Sequence, residues 1–209
     1  KIITHILKHQ RSDGTWSLYR GGKGDVSATV EAYFALKLAG FSPAAEPLKK
    51  ARMFILKEGG VEAARVFTKI YLAIFGQFPW KAIPSIPVEI NLLPAWCPFN
   101  IYSFSSWART TIVPLTVLLE FKPGKNVPEK AGVRELYRKP GSVPPITTNV
   151  LSPLSWKKIF LVLDRVLKTM ERMHLRPFRQ KALIKTERWI IDHQEPGGDW
   201  GGIQPPMVN

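Results

Sequence analysis

Few residues of this 209-residue chain combine a reactive type with a telling spacing. Gln204 stands in Gly-Gly-Ile-Gln-Pro-Pro, an amide between Ile203 and Pro205 in an apolar loop. It either braces the backbone of that loop or serves a site. Glu31, on a helical pattern over 27–39, shares a face with Phe34, Ala35 and Leu38. An unpaired carboxylate there would be costly, so a hydroxyl or an arginine is expected to compensate it, and Arg65 is a candidate partner for Glu31 or for another carboxylate. Trp107 shares another face with Phe104, Ala108, Thr111 and Ile112. An aromatic stripe at helical spacing is ordinarily core, but turned toward a desolvated cation it would contribute ~1–2 kcal/mol. Phe67 and Tyr71 lie one turn apart and form a second aromatic pair. The histidines at 5, 9, 174 and 193 have no metal-ligand spacing, Cys97 is the single cysteine, and neither a P-loop nor a carboxylate cluster occurs. No metal or other cofactor is expected from this set.

The elements that must position these groups read as helices. Apolar residues recur at helical spacing from Ile2, from Val30, around Met53, and over 62–76, 102–120, 154–173 and 178–194, with glycine stops at Gly40 and at Gly59-Gly60. Proline interrupts the pattern over 79–99, and 122–149 reads as a long basic loop. No alternating strand pattern appears, so the fold class is all-α. Two helix ends carry the same outline, Gln10 to Trp16 and Gln194 to Trp200, each with glycine between. A glutamine amide there can donate to the unpartnered helix carbonyls, with the tryptophan ring covering it. Repeated helix pairs of this kind make either a solenoid or a closed toroid.

Thirty basic residues against sixteen acidic give a formal charge of +14, which favours polyanions or an anionic membrane surface. No apolar run approaches the ~18–20 residues of a spanning helix. The first residue is Lys1, not Met, and the second Gln–Trp motif runs on to Asn209 without a closing element. A piece of a longer protein is expected.

The segments "KIITHILKHQRSDGTW" and "KALIKTERWIIDHQEPGGDW" resemble the QW repeats of triterpene cyclases. "SATVEAYFALKLAG", "RVFTKIYLAIFGQFPW", "SSWARTTIVPL" and "GGIQPPM" are similar, in order, to squalene-hopene cyclases. The resemblance implies an α/α barrel of helix pairs, incomplete here, in a two-barrel enzyme that cyclises squalene to hopene or hopanol through a proton-initiated carbocation cascade. That family's acid lies in an Asp-x-Asp-Asp motif. The aspartates here, 13, 25, 164, 192 and 199, do not form one, so the catalytic-acid domain is expected to be absent and residues 1–209 to be one partial barrel domain. By the same resemblance Gln204 would hold a water near the last cation, with Ile203 and Pro205 shaping the wall. Glu31 would join the polar network of the cavity, and Trp107, Phe67 and Tyr71 would line it, though the family often has Trp at the place of Tyr71. Phe104 and Ile112 would lie along the substrate access channel. The implied partners are squalene, the remaining cyclase domain and a membrane surface. A homodimer is compatible, and the implied place is peripheral, on the cytoplasmic face of a bacterial-type membrane. The amphipathic stretch 156–170 suits a helix lying on that surface and equally an outer barrel helix.

A different reading makes the chain a noncatalytic basic helical-repeat module that binds nucleic acid or a protein partner. It explains the charge and the helices but neither the Gln–Trp repeats nor the Gly-Gly-Ile-Gln-Pro-Pro loop, so nucleic acid is not the expected partner. A prenyltransferase-like toroid would need zinc ligands that this chain lacks.

Overall fold

Asp25 begins a well-buried helix. Its extended backbone and its Oδ1, which accepts from the Ala28 amide at 2.9 Å, cap α2 (Val26–Leu38). The computed structural model describes residues 1–97, 100–139, 165, 168, 169 and 177–200, and among these the regular structure is helical with no strand. They fall into two units, Lys1–Ile83 with Gly124–Thr147, and Pro84–Pro123 with Thr148–Asn209.

In the first unit, α1 (Ile2–Lys8) precedes α2, and α3 (Glu46–Lys57) and α4 (Val66–Ile74) follow it. α2 buries residues round most of its circumference, with Thr29, Val30, Tyr33 and Leu36 all inaccessible, and so acts as an inner helix. α3 is amphipathic: Leu48, Ala51 and Ile55 are buried at helical spacing while Lys49, Arg52 and Lys57 face water. α2 and α4 run parallel. Arg65, the N-cap of α4, pairs with Asp25, the N-cap of α2, at 2.8 Å, Thr68 bonds Glu31 one turn on, and the rings of Phe34 and Phe75 meet at 5.5 Å near the far ends. Burying each large side chain of this core contributes about 1.5–3 kcal/mol.

Over its described residues 122–139 the stretch expected to be a long basic loop is irregular apart from the 3₁₀ turns Glu129–Ala131 and Arg134–Leu136, and it is fastened to the helices. The Lys125 amide donates to Ile74 O, the Val133 amide to Gln77 Oε1, and Tyr137 Oη to Gln77 O. Val133 and Leu136 are fully buried. Glu135 accepts from Lys37 Nζ and from Tyr33 Oη, each at 2.8 Å. Burial pushes the Glu135 carboxyl up, but the hydrogen bonds, that from Lys37 foremost, outweigh it and hold the group below the usual carboxylate range. Burial, and then the bond to Glu135, push the Tyr33 hydroxyl up.

In the second unit, α5 (Ser106–Phe121) and α6 (Arg179–Asp192) pack with the 3₁₀ turn Val88–Leu92. α5 contains Pro114 and ends at Lys122, which is left-handed at φ 47°. Asn91 joins the three elements: its Nδ2 donates to Thr116 Oγ1 at 2.9 Å and to Thr186 Oγ1 at 2.8 Å. Both hydroxyls give their own protons to helix carbonyls, Thr116 to Val113 O and Thr186 to Ala182 O. They can therefore only accept from Asn91, which fixes the orientation of its amide. Among the described residues of the proline-rich stretch 79–99 the regular structure is short 3₁₀ turns, Trp80–Ala82 and Val88–Leu92, and no long helix, as its prolines imply. Of 154–173 only residues 165, 168 and 169 are described, and these are helical, so the surface helix expected at 156–170 lies largely outside the described residues.

Both Gln–Trp motifs form the same turn, by a mechanism other than the expected one. The tryptophan, and not the glutamine, satisfies the helix end: Trp16 Nε1 donates to Ile6 O at 2.8 Å, and Trp200 Nε1 to Ile190 O at 2.6 Å. Each glutamine reaches forward, Gln10 Nε2 to Gly14 O and Gln194 Nε2 to Gly198 O. An indole has a single donor on a long rigid arm, so it can return ten residues to a carbonyl in the helix, while the shorter amide bonds the turn.

Candidate functional site

On the first unit, α2 and α4 present a polar and aromatic strip. Glu31 is exposed, contrary to the burial expected from its helical face, because that face is itself half open: Phe34 is buried but Leu38 is 44% exposed. The compensating group is the buried Thr68, whose Oγ1 donates to Glu31 Oε1 at 2.6 Å. Arg65 pairs with Asp25, not with Glu31, and its backbone amide donates to Ser27 Oγ at 2.9 Å. Phe67 stands beside Thr68 and is 36% exposed. Tyr71 follows one turn later with its Oη enclosed and without a hydrogen-bond partner among the described residues. Burial, and secondarily the charge of Glu31, push its hydroxyl up to about 12, so it stays protonated.

On the second unit, the aromatic stripe of α5 is open. Trp107 is 59% exposed and Phe104, which precedes the helix, is 40% exposed, while Ile112 is half-buried. The residues that build the core of this helix, Val113, Leu115, Leu118 and Leu119, lie in its later turns. Trp107 and Phe104 are therefore not core residues of this unit. Asn100 shapes their approach: its Oδ1 accepts from the Ser103 amide at 3.0 Å and its Nδ2 donates to Ser103 Oγ and Ala95 O. Gln204, Ile203 and Pro205 lie outside the described residues.

Chemically, these strips offer π faces, one exposed carboxylate and an enclosed tyrosine hydroxyl. Such π faces can contact apolar groups and can attract a cation. Among the described residues no group of three or more His, Cys, Asp or Glu is placed to hold a metal ion, and no helix is long and apolar enough to cross a membrane. Sequence reasoning allowed a hydroxyl for Glu31 and another carboxylate for Arg65 but did not identify Thr68 or Asp25. A hydroxyl three residues before Tyr71 on the same helix was the available signal for Thr68; the ion pair joins residues 40 apart and leaves no local pattern.

Comparison with known proteins settles which family this arrangement serves. The profile of the squalene-hopene cyclase N-terminal domain matches residues 1–209. The chain belongs to that family. It is 44% identical over 206 residues to the squalene-hopene cyclase of Alicyclobacillus acidocaldarius, covering 99% of this chain and 32% of the relative. It is 38% identical over 211 residues to the squalene-hopene cyclase of Bradyrhizobium diazoefficiens, covering 100% of this chain and 32% of that enzyme. Similarity extends to the dammaradiene synthase of Dryopteris crassirhizoma, 39% over 207 residues, covering 99% of this chain and 30% of the relative. The chain thus spans about a third of the length of these curated relatives.

Proposed function

We propose that this chain is part of a squalene-hopene cyclase that converts squalene to hopene or hopanol by a proton-initiated carbocation cascade. It supplies cavity wall, access channel and the region that quenches the last cation. The observation that carries this reading is that Trp107 and Phe104 are turned out of their unit's core, in a chain matched over its whole length by the cyclase family profile. Large aromatics pack inward unless something else covers or uses them. Open π faces beside an access path fit an apolar polyene whose positive charge migrates during reaction.

The initiating acid must come from elsewhere in the enzyme, because no Asp-x-Asp-Asp occurs among these 209 residues. Glu31, held by Thr68, belongs to the polar edge of the cavity, Phe67 and Tyr71 line it, and Ile112 borders the channel. Gln204, between Ile203 and Pro205, positions the water that receives the final proton or adds as hydroxide. The unit architecture is that of a partial α/α barrel closed by QW repeats, completed by the remaining cyclase domain. The enzyme draws squalene from a membrane on which it lies peripherally.

Product analysis of Gln204→Ala in the full enzyme tests this. Early ring closures are expected to persist while the ratio of alkene to alcohol shifts about fivefold, the effect of a hydrogen bond worth about 1 kcal/mol on competing exits. An identical product ratio at a lower total rate would leave Gln204 a loop-bracing amide.

A further inference from the structure

We propose that His5 and His9, one turn apart at the end of α1, form a two-imidazole site for an exchangeable divalent transition-metal ion of the Ni²⁺, Cu²⁺ or Zn²⁺ class. The site uses none of the residues of the Glu31–Tyr71 strip, and it does not rest on the cyclase reading.

No metal site follows from the four-residue step between these histidines alone; ring geometry and tautomer make one. Residues four apart share one face of a helix. Both rings are exposed here, and they stack with centroids 4.0 Å apart and planes 30° from parallel. Two nitrogens bound to one ion at about 2.0–2.1 Å stand about 3–3.4 Å from each other. The stack is thus near the spacing of a chelate, and rotation of two exposed side chains completes it. His9 Nδ1 lies 2.8 Å from His5 O. A carbonyl can only accept, so Nδ1 carries the proton and Nε2 the lone pair. A backbone carbonyl on the other ring nitrogen is the common support of a metal-bound histidine, because it fixes the tautomer and raises the basicity of the ligating nitrogen.

The second Gln–Trp turn carries the same arrangement with one ligand fewer. His193 repeats the stack at 4.0 Å and the Nδ1 bond, to Trp189 O at 2.8 Å. Its neighbour is an indole, whose nitrogen is a donor only and has no lone pair for a metal. Each turn therefore supplies one oriented imidazole, and only the first supplies two.

Charge and donor type select the metal. Lys1 and Lys8 are exposed at the two ends of α1, and among the described residues no third His, Cys, Asp or Glu completes a cluster with the pair. Two neutral nitrogens beside cations offer nothing to Mg²⁺ or Ca²⁺, which take oxygen ligands. They suit metals that prefer imidazole, Cu²⁺ most strongly. The remaining coordination positions are left to water or to a ligand from outside the pair.

Calorimetric titration of the full protein with Ni²⁺, at a pH where imidazole is neutral, tests the proposal beside two exchanges between the turns. His5→Trp gives the first turn the indole of the second and keeps a stacked ring. It should weaken one Ni²⁺ site about a hundredfold, the low end of what joining two ligands in one chelate gives. Trp189→His makes the converse change and should add a site of similar strength. On the unaltered protein, Zn²⁺ should protect His5 and His9 together from acylation by diethyl pyrocarbonate, read by peptide mass spectrometry. His193 should stay reactive at the same Zn²⁺ concentration, and Mg²⁺ should protect none of the three. That measurement decides the question even if a substitution disturbs its turn. Undiminished Ni²⁺ binding in His5→Trp, no gain in folded Trp189→His, or equal protection of His9 and His193 would each overturn the proposal.

Discussion

The two Gln–Trp turns share their backbone, glutamine and tryptophan bonds at an offset of 184 residues, yet they lie in very different surroundings. His5 stacks on His9 and Trp189 on His193, both at 4.0 Å, and His9 and His193 each donate from Nδ1 to the carbonyl four residues back at 2.8 Å. The backbone amides of Gln10 and Gln194 donate to Leu7 O and Ile191 O at 3.2 Å, and Gly14 and Gly198 are left-handed at φ 83° and 87°. The first turn, however, is docked on α3. Gln10 Nε2 also donates to Pro47 O at 2.8 Å, and Trp16 is 7% exposed. Among the described residues Gln194 makes only its local bond, and both it and most of its turn are exposed. The turn is thus encoded locally, whereas its contribution to stability depends on a third helix meeting it.

That difference predicts unequal responses to equal changes. Trp16→Ala should cost about 3–5 kcal/mol, as removal of a buried aromatic does. Trp200→Ala should cost about 1–2 kcal/mol, from one hydrogen bond and a half-buried ring. Urea midpoints of the two variants measure this, and equal losses would break the comparison.

A smaller effect separates the glycines. Alanine strains both left-handed sites by about 1–2 kcal/mol. At position 14 the new Cβ would also stand 2.3 Å from Lys50 Cβ, with the α3 backbone just behind it, while at 198 nothing lies within 4 Å. Gly14→Ala should therefore cost a further ~1–3 kcal/mol through overpacking. Thermal unfolding of both variants reads the gap, and a matching pair of melting points would mean that α3 yields.

Smaller again is the glutamine pair. Gln10→Leu removes bonds to two carbonyls, Gly14 O and Pro47 O, and Gln194→Leu removes one. At about 1 kcal/mol per bond the first should cost about twice the second. Gln10→Glu sharpens the test, because a carboxylate can donate to neither carbonyl and should behave like leucine or worse.

The same contrast marks what could be read in the sequence. Apolar periodicity located α2 and α6 to within a residue or two, since burial of Val30 or Ala182 follows the helical repeat directly, while for α3 it marked the end, and the residues it rested on, Met53 and Phe54, are not the ones buried. Both Gln–Trp turns were legible because the bonds they share lie within ten residues, whereas the bond from Gln10 to Pro47 O spans 37 and was not. The family resemblance, carried by the same turns and by the segments around Trp107 and Gln204, agrees with the profile match. What escaped was long-range pairing. Asp25 with Arg65 and Lys37 with Glu135 join residues 40 and 98 apart. Such pairs arise from which helices meet, and no local spacing announces them. Glu31 was misjudged for a related reason: its face was assigned from neighbours on one helix, whereas its exposure depends on what packs against that helix.

The smallest expected effect concerns acid. Asp13 Oδ1 accepts from Thr15 Oγ1 at 2.6 Å and from the Thr15 amide at 3.1 Å, bonds that only the first turn has. At the same offset the second turn carries Gly197 and Asp199 in place of Asp13 and Thr15. The hydrogen bond from the Thr15 side chain is the main reason that the Asp13 carboxyl sits below its ordinary value. A carboxyl depressed in the folded state contributes stability above its unfolded pKa of about 3.9 and loses it as pH falls through the lower folded value. Acidification below about pH 4 should therefore loosen the first turn and leave the second unchanged with respect to this group. The Thr15 amide resonance should titrate in that range and its exchange with solvent should quicken, while the Asp199 amide shows no matching change tied to a side chain at 197. Asp13→Asn keeps an acceptor oxygen but cannot titrate, so it should abolish the acid dependence of Thr15 with little change at neutral pH. If the Thr15 amide titrates as before in Asp13→Asn, the response belongs to another group and the turns differ only through α3.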